Sequence, residues 1–362
     1  ALIRAVENFE DYQSFGRQQV VEAELNDKDL LIALTEGGEI SSVIGTMKEA
    51  ADRGSKVYML YNNPRELLIE KFQRSKDVLT DKRIQTLELT TGPMALTGST
   101  RMQATSIGML VVGMAMEEAC KTLEGKREQK RSWYIDEFTH LLEQLNNDRA
   151  LQGLAEFVEI ESATYSKGNR ITYIAEEFLL DIFSDTTERT PTFMIPPFRS
   201  VDDVSSPAPW AFAKDPHRVS SEAWLNMLRR EPRGLDWDAA DYKKMGAQTD
   251  IIDNPPKLSR ADVYSYGIGK EKDSSRTRPG DLFFKCSIES DSGFLVQVCR
   301  ADNEDEFVES IKIPFVFVKT RVNLFEHIAI KLILNTISTG AMAHMGRVVG
   351  NWMIQVDATN KK

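Results

Sequence analysis

The stretch that decides the fold runs from Asp29 to Gly38 and reads DLLIALTEGG. Its continuous apolar run, residues 29–35, predicts a buried strand, and the glycine pair after it predicts a tight turn. A helix is predicted next over residues 41–53, with Ser41 or Ser42 as its N-cap. A strand, a turn and a helix in this order are typical of the first half of an α/β unit.

The same alternation continues towards the C-terminus. Residues 56–62 (KVYMLYN) predict a second buried strand, and Pro64 predicts the first turn of another helix. A third strand is predicted over residues 87–91, followed by a long helix that reaches about Leu123. Because the connections are short, this order of elements predicts a parallel sheet covered by helices. Before the deciding stretch, residues 1–27 have the apolar spacing of a helix.

A second α/β pass begins at Arg170, after a charged helical connector. It ends, like the first, in a long helix rich in small residues, here from Leu324 to about Met345. We therefore predict an α/β protein with two flavodoxin-like, three-layer αβα domains with parallel sheets, the second partly degenerate. The expected boundaries are 1–124 for the first domain, 125–168 for the connector, and 169–362 for the second domain with an irregular insertion near 196–260.

Composition excludes several classes of function. The 362 residues include 45 basic and 55 acidic side chains, and this net charge of −10 argues against a nucleic-acid partner. The three cysteines lie far apart, and the four histidines lack zinc-binding spacing, so we expect neither a disulfide framework nor a metal. The longest uncharged stretches are too short to span a membrane. We expect a cytoplasmic protein without a cofactor.

The sharpest candidate site is the segment LTGSTR, residues 96–101, between a strand and a helix. A helix N-terminus carries free N–H groups and partial positive charge, so it binds anions. Gly98 allows the backbone to approach a ligand, Ser99 and Thr100 add hydroxyl donors, and Arg101 adds positive charge. The segment therefore predicts a phosphate site, although an ordinary helix N-cap remains an equal alternative.

Two further features are weaker candidates. The turn Thr35-Glu36-Gly37-Gly38 follows a strand, at the edge where parallel sheets bind ligands, but taken alone the glycine pair favours an ordinary turn. Lys331 lies in the apolar stretch AIKLILN. A lysine there either extends its ammonium group to water or meets an anion.

Several motifs together resemble the sugar isomerase (SIS) domain family. They are AVENFED (residues 5–11), GP (92–93), LTGSTRM (96–102), KLILNTIST (331–339), and the terminal segment with Asn351 and residues 357–361. The resemblance is to N-acetylmuramic acid 6-phosphate etherases and to the glucokinase regulatory protein, which contains two SIS domains. It covers both ends of the chain, whereas residues 125–310 match only loosely.

The resemblance implies a role for each matched residue. Glu10 corresponds to a catalytic glutamate of the etherases, where a carboxylate serves as acid or base in the elimination of the lactyl ether. Lys331 matches a lysine near the sugar phosphate of the regulatory protein, and we expect it to reach the first domain's site. The other residues implied to bind a phosphosugar are Thr35, Gly37, Gly38, Gly98, Ser99, Thr100 and Arg101.

The chain also departs from the family pattern. The etherases' first phosphate loop precedes the Glu10 segment, and we expect that loop and the N-terminal strand to be missing here. In the second pass, residues 185–192 resemble the segment of the second glutamate, but the preceding phosphate loop is replaced by AEEFL, residues 175–179. Its two carboxylates would repel phosphate. Gln103 and Met109 stand where the etherases carry lysine.

Two functions remain open at this stage. One is an etherase-like lyase that releases lactate from a 6-phosphorylated amino sugar. The other is a non-catalytic phosphosugar sensor whose partner is a sugar kinase. An SIS isomerase ranks third, because no histidine lies beside the matched motifs to act as a base. A homodimer or an internal pseudo-dimer of the two halves would cover the apolar helix faces.

Overall fold

The computed structural model describes residues 9–126 and 128–355, which form two compact units. Within the described residues, the smaller unit comprises 9–108 and 235–258, and the larger unit comprises 109–234 and 259–355. These units follow different boundaries from the domains predicted above. The largest difference is that residues 235–258, part of the expected insertion, fold with the smaller unit.

The helices, in chain order, are α1 (Gln13–Glu22), α2 (Ser41–Asp52), α3 (Arg65–Lys71), α4 (Gln73–Leu79), α5 (Gln103–Leu123), α6 (Arg131–Leu145), α7 (Asp148–Ser166), α8 (Leu179–Phe193), α9 (Ser220–Leu228), α10 (Ala239–Lys244), α11 (Thr249–Asp253), α12 (Arg260–Tyr264) and α13 (Leu324–His344). The strands are β1 (Leu30–Leu34), β2 (Lys56–Tyr61), β3 (Ile84–Glu88), β4 (Ile171–Ile174), β5 (Ala211–Lys214), β6 (Leu282–Glu289), β7 (Gly293–Arg300), β8 (Phe307–Ile313), β9 (Val348–Val349) and β10 (Trp352–Met353). Two 3₁₀ helices cover Phe9–Asp11 and Ser274–Arg276.

The smaller unit contains a parallel sheet with the strand order β1-β2-β3. This confirms the predicted α/β fold with parallel strands. The expectation that β1 is buried is wrong, because β1 is an edge strand and one of its faces is exposed. Leu30 and Ile32 are 55% and 41% exposed, whereas Ala33 is buried. An apolar run alone does not separate an edge strand from a central one.

The predicted helix over residues 1–27 is shorter in the structure. Residues 1–8, including Glu7, lie outside the described residues. The 3₁₀ helix Phe9–Asp11 is followed by α1, with Tyr12 in extended conformation between them. Helices α1 and α2 approach closely because each has a glycine at the contact. A Cβ added at Gly16 would lie 1.8 Å from the carbonyl oxygen of Ser42.

The larger unit has a mixed sheet with the strand order β5-β4-β6-β7-β8. Strands β5, β4 and β6 are parallel, whereas β6, β7 and β8 pair antiparallel. Only residues 290–292 connect β6 to β7, which is too short for the crossover that a parallel pair needs. Gly293, with φ of +92°, begins β7 in a backbone conformation that favours glycine.

Helix α13 lies in the core of the larger unit, where it packs against α7 and α8. Its buried residues include Ile328, Ile330, Leu334 and Ile337, which point in several directions around the helix. A helix that is apolar on most sides is normally enclosed by protein. None of the helices in residues 9–126 and 128–355 is long and apolar enough to cross a membrane.

Candidate functional site

The turn after β1 lies at the carboxyl edge of the parallel sheet. Thr35 is buried and its N–H donates to the carbonyl of Leu60, so the sheet pairing continues one residue beyond β1. The Gly38 N–H then donates to the Thr35 carbonyl at 3.0 Å, and Gly38 has φ of +83°. A Cβ at Gly38 would lie 2.5 Å from Cδ1 of Leu68. Both the backbone conformation and the packing therefore favour glycine here.

Two asparagines that follow β2 join the neighbouring loops of this edge. The Asn62 N–H donates to the Glu36 carbonyl at 2.9 Å, and its Nδ2 donates to the Leu89 carbonyl at 2.7 Å. The Asn63 Nδ2 donates to the Gly37 carbonyl at 2.9 Å. Our sequence reasoning missed both residues. The available signal was a pair of amide side chains directly after a strand, at the edge where ligands bind.

The predicted phosphate segment follows β3 and precedes α5. Gly98 has φ of +92°, and the Ser99 N–H donates to the Leu96 carbonyl at 3.0 Å. Ser99 and Arg101 are buried, at 6% and 5% exposure, whereas Thr100 is exposed. The segment therefore forms a turn that presents Thr100 outward while its two neighbours face inward.

Gln103, the first residue of α5, fixes this loop. Its Oε1 accepts from the Ala95 N–H at 2.6 Å, and its Nε2 donates to the Pro93 carbonyl at 2.9 Å. The side chain that stands in place of the family's lysine thus supplies two neutral hydrogen bonds to the loop instead of a positive charge.

Glu36 connects the two turns. Its Oε2 accepts from the Thr100 hydroxyl at 3.1 Å, and its Oε1 accepts from the Thr105 hydroxyl at 2.8 Å. Two hydroxyl donors, one from the loop before α5 and one from its first turn, therefore converge on one carboxylate. A hydroxyl has a single proton to donate, so Thr100 gives its proton to Glu36 in this arrangement. Sequence reasoning did not single out Glu36 or Thr105.

Two buried polar atoms at the same edge have no hydrogen-bond partner among the described residues. They are Oγ1 of Thr35 and Oδ1 of Asn62, the side chains that directly follow β1 and β2. A buried polar atom without a partner costs about 1–3 kcal/mol in most proteins. These two atoms are therefore consistent with the ligand predicted at this edge.

The remaining predicted residues are divided between the two units. Glu10 belongs to the smaller unit, in the half-buried 3₁₀ helix Phe9–Asp11, which lies against α2. The structure thus places Glu10 in the same unit as the two turns. Lys331 belongs to the larger unit, half-buried on α13.

In the larger unit, the segment that resembles the second-glutamate region is buried in α8. Arg189 is fully buried, and its Nη1 lies 2.9 Å from Oε1 of Glu161, while its Nη2 lies 2.7 Å from Oδ2 of Asp185. On α13, Nδ2 of Asn335 donates to Oδ1 of Asp185 at 2.8 Å. Burial raises the pKa of Glu161, although the Arg189 charge opposes that shift. Asp185 is thus held inside an ion network rather than at a strand edge.

The residues that replace the phosphate loop in this unit also have a defined arrangement. Glu176 follows β4 and lies 3.0 Å from Nη2 of Arg218. Arg218 in turn pairs with the buried Asp215 at 2.9 Å, and hydrogen bonds from the 217–218 backbone help lower the pKa of that carboxyl against its burial. At this strand edge, the carboxylates of Glu176 and Asp215 both pair with Arg218, and no glycine turn follows β4. Among the described residues, no group of three His, Cys, Asp or Glu side chains is placed to hold a metal.

No family model matches this chain. It is 29% identical over 114 residues to N-acetylmuramic acid 6-phosphate etherase 1 of Bacillus licheniformis and 32% identical over 116 residues to the enzyme of Clostridium acetobutylicum. Each match covers 32% of this chain and 34% of the relative. The chain therefore spans about a third of the length of these curated relatives. The resemblance to the etherases is confirmed over that part.

A longer match has lower identity. The chain is 26% identical over 160 residues, 44% of its length, to the N-acetylmuramic acid 6-phosphate etherase of a Picosynechococcus species. That match covers 48% of the relative. Among solved structures, a chain from Clostridium difficile 630 with a provisional description as a phosphosugar isomerase has a TM-score of 0.45 and 13% identity. That comparison covers 96% of this chain and 80% of the other.

Proposed function

We propose that the smaller unit binds the phosphate group of a phosphorylated sugar at the carboxyl edge of its parallel sheet. The observation that carries this proposal is the convergence of the Thr100 and Thr105 hydroxyls on the Glu36 carboxylate. The hydroxyls of Thr100 and Thr105 can therefore donate to an oxyanion beside the N-terminus of α5, the positive end of a 21-residue helix. The names of the etherase relatives support a 6-phosphorylated amino sugar as the ligand to test.

In the structure, the Glu36 carboxylate accepts the two hydroxyl protons that a phosphate would accept in the proposed complex. A phosphate would compete with this carboxylate for the same hydroxyl protons, and the two negative charges would repel. Glu36→Gln keeps a hydrogen-bond acceptor but removes the charge. We expect this variant to bind N-acetylmuramic acid 6-phosphate at least tenfold more tightly, which corresponds to about 1.4 kcal/mol. Isothermal titration calorimetry measures the change.

The matched control is Glu66→Gln, an equal change of charge on α3 of the same unit, at an exposed position. If both variants gain affinity equally, the cause is net charge and not the Glu36 position. Thr100→Val is expected to weaken binding, because it removes the exposed hydroxyl. Unchanged affinity in Thr100→Val and in Glu36→Gln would contradict the proposed site.

The finer proposal is an etherase-type lyase in which Glu10 acts as the acid or the base. Elimination of the lactyl ether needs removal of the proton next to the lactate carboxylate and protonation of the leaving oxygen. A carboxylate can perform either step, and Glu10 lies half-buried in the same unit as the two turns. The test is release of lactate from N-acetylmuramic acid 6-phosphate by the full chain.

Glu10→Gln is expected to abolish lactate release while the affinity for the sugar changes little. Its matched control is Asp11→Asn, the neighbouring acid in the same 3₁₀ helix, which should retain activity. Equal loss in both variants would indicate damage to this segment instead of a specific role for Glu10.

The second candidate is a phosphosugar sensor without catalytic activity. The arrangement in the larger unit favours it, because Asp185 is committed to a buried ion network and Glu176 replaces the phosphate loop. A sensor would bind the sugar phosphate without releasing lactate. It would bind a sugar kinase either only in the presence or only in the absence of the sugar phosphate.

A further inference from the structure

The larger unit contains a cavity of about 300 Å³ beside β5, the edge strand of its sheet. Three cationic side chains line it, namely Arg199, Lys272 and Arg276, and Phe212 forms part of an apolar wall. This volume lies at the small end of the range for small-molecule sites in proteins. The cavity therefore suits a metabolite rather than a macromolecule.

The buried Arg276 guanidinium forms no salt bridge in the described structure, although the charges of Asp273 and Asp281 attract it at longer range. Arg276 is 3% exposed, and its guanidinium lies 5.2 Å from the ring centre of Phe212. Its Nε donates to the Thr172 hydroxyl at 2.8 Å, and its Nη1 donates to the Pro209 carbonyl at 2.6 Å. Its Nη2 donates to backbone carbonyls at the start of β4 and β5. All these acceptors are neutral.

The charge of Arg276 persists despite its burial. Burial lowers the pKa of this guanidinium to about 10, so it remains protonated at neutral pH. A buried cation with only neutral partners is costly unless a counter-charge lies nearby. The wall of the cavity therefore presents a fixed positive charge that an anion could balance.

Further cations surround the same cavity. Arg199 donates to the Ser206 carbonyl, and no ion pair of Arg199 or Lys272 is found within 9–126 and 128–355. Arg170 donates to the carbonyl of Ser275, a residue of the cavity wall. Burial and the charges of Arg278 and Arg199 lower the pKa of Arg170, whereas Asp281 and Asp273 oppose that shift, so cations and acids lie together beside this wall.

The two acids of the cavity wall already have hydrogen-bond donors. The Glu271 carboxylate accepts from the N–H and the hydroxyl of Ser220 at 2.7 and 2.8 Å. The Asp273 carboxylate accepts from the N–H and the hydroxyl of Ser275 at 2.9 and 2.7 Å. These contacts hold the Glu271 carboxylate at the start of α9 and the Asp273 carboxylate within its own loop, whereas Arg199 and Lys272 have N–H groups left to donate.

We propose that this cavity is a separate binding site for a small phosphorylated molecule, held by Arg199 and Lys272 against the positive wall formed by Arg276. A phosphate dianion accepts several hydrogen bonds from different directions, and guanidinium groups match its geometry. This site lies wholly in the larger unit and does not depend on the one proposed for the smaller unit.

Calorimetric titration of the full chain with inorganic phosphate at constant ionic strength tests the proposal. The wild type is expected to show a saturable binding event that weakens at least tenfold in the double variant Arg199→Gln/Lys272→Gln. This double variant spares Arg276, because its hydrogen bonds join β4 to the segment before β5 and its loss would disturb the sheet as well as the cavity. Thr100→Val should weaken only phosphate bound at the smaller unit, so the event that the double variant weakens should persist in Thr100→Val, and the two sites are thereby distinguished.

A charge-matched control is Arg149→Gln/Lys312→Gln, two exposed cations of the larger unit that do not line the cavity. It should bind phosphate as the wild type does. Succinate, a dianion without phosphate, should compete only weakly. The proposal is overturned if no saturable binding occurs up to millimolar phosphate, or if the cavity variant retains wild-type affinity. Equal weakening in the control variant would also overturn it.

Discussion

At the scale of single residues, hydrogen-bond partners decide what each polar group can do. Thr100 looks like a phosphate ligand in the sequence, but its hydroxyl donates to Glu36 in the structure. Asp185 looks like part of a catalytic segment, but it accepts from Arg189, Asn335 and Ser338 in the core. In both cases the sequence supplies the residue type, and the partner that limits its chemistry comes from a distant part of the chain.

His327 provides a pH-dependent contribution to stability. Its Nδ1 lies 2.8 Å from Oδ2 of Asp181, and this hydrogen bond raises the pKa of the imidazole above 6.5. A raised pKa in the folded state means stabilisation that is fully present below about pH 6.5 and is lost as pH rises through the folded-state pKa. We expect His327→Gln to lose stability at pH 6 but little at pH 9, measured by urea unfolding.

The control for this prediction is His140→Gln, because His140 is well exposed and its nearest acid, Glu143, is 4.0 Å away. Its stability should follow the wild type at every pH. A stability difference between His327→Gln and wild type that stays constant from pH 6 to pH 9 would contradict the titration of His327.

At the scale of elements, hydrogen bonds to neighbouring helices account for the buried polar residues of the terminal helix α13. The motif KLILNTIST contributes Asn335 and Ser338 to Asp185 of α8, and Glu161 of α7 completes the charge network around Arg189. Tyr173 on β4 donates to Glu161 as well. This network joins three helices and a strand inside one unit. The motif therefore has a structural role that its resemblance to a family does not reveal.

Removing the cation of this network should be strongly destabilising. Arg189→Met leaves the Glu161 and Asp185 carboxylates buried without their guanidinium partner, and such losses cost about 3–5 kcal/mol. Arg300→Met is the control in the same unit, because Arg300 pairs with Asp302 at the surface, where a pair contributes at most about 1 kcal/mol. Chemical denaturation measures both. A loss at Arg189 as small as that at Arg300 would contradict this account.

At the scale of the whole molecule, sequence order and spatial order differ. Residues 235–258 follow much of the larger unit in the chain, yet Trp237 and Tyr242 pack with Phe15 of α1 in one apolar cluster. The ring centres of Phe15 and Tyr242 are 5.4 Å apart in an edge-to-face arrangement. Part of the segment predicted as an irregular insertion thus contributes to the core of the smaller unit. The expected homodimer or pseudo-dimer stays a prediction.

Tyr242→Ala should therefore destabilise the smaller unit by about 3–5 kcal/mol, because it empties a fully buried aromatic position. Hydrogen exchange should report lost protection in α1 and α2, with β6 and β7 little changed. Tyr242→Phe is the matched variant, since the Tyr242 hydroxyl is buried without a hydrogen-bond partner in the described structure. It should be as stable as wild type or more so. Lost protection confined to the larger unit would contradict the assignment of this segment.

The sequence by itself determined the α/β class, the approximate position of β2, α2, α5 and α13, and the resemblance to the etherases. These features follow from local patterns, namely apolar periodicity, helix caps and short motifs. Only the tertiary structure decided that β1 is an edge strand, that β6, β7 and β8 pair antiparallel, and that Glu36 accepts the hydroxyl protons of Thr100 and Thr105. The physical reason is that burial, strand pairing and hydrogen-bond competition depend on groups far apart in the chain, and no local pattern contains them.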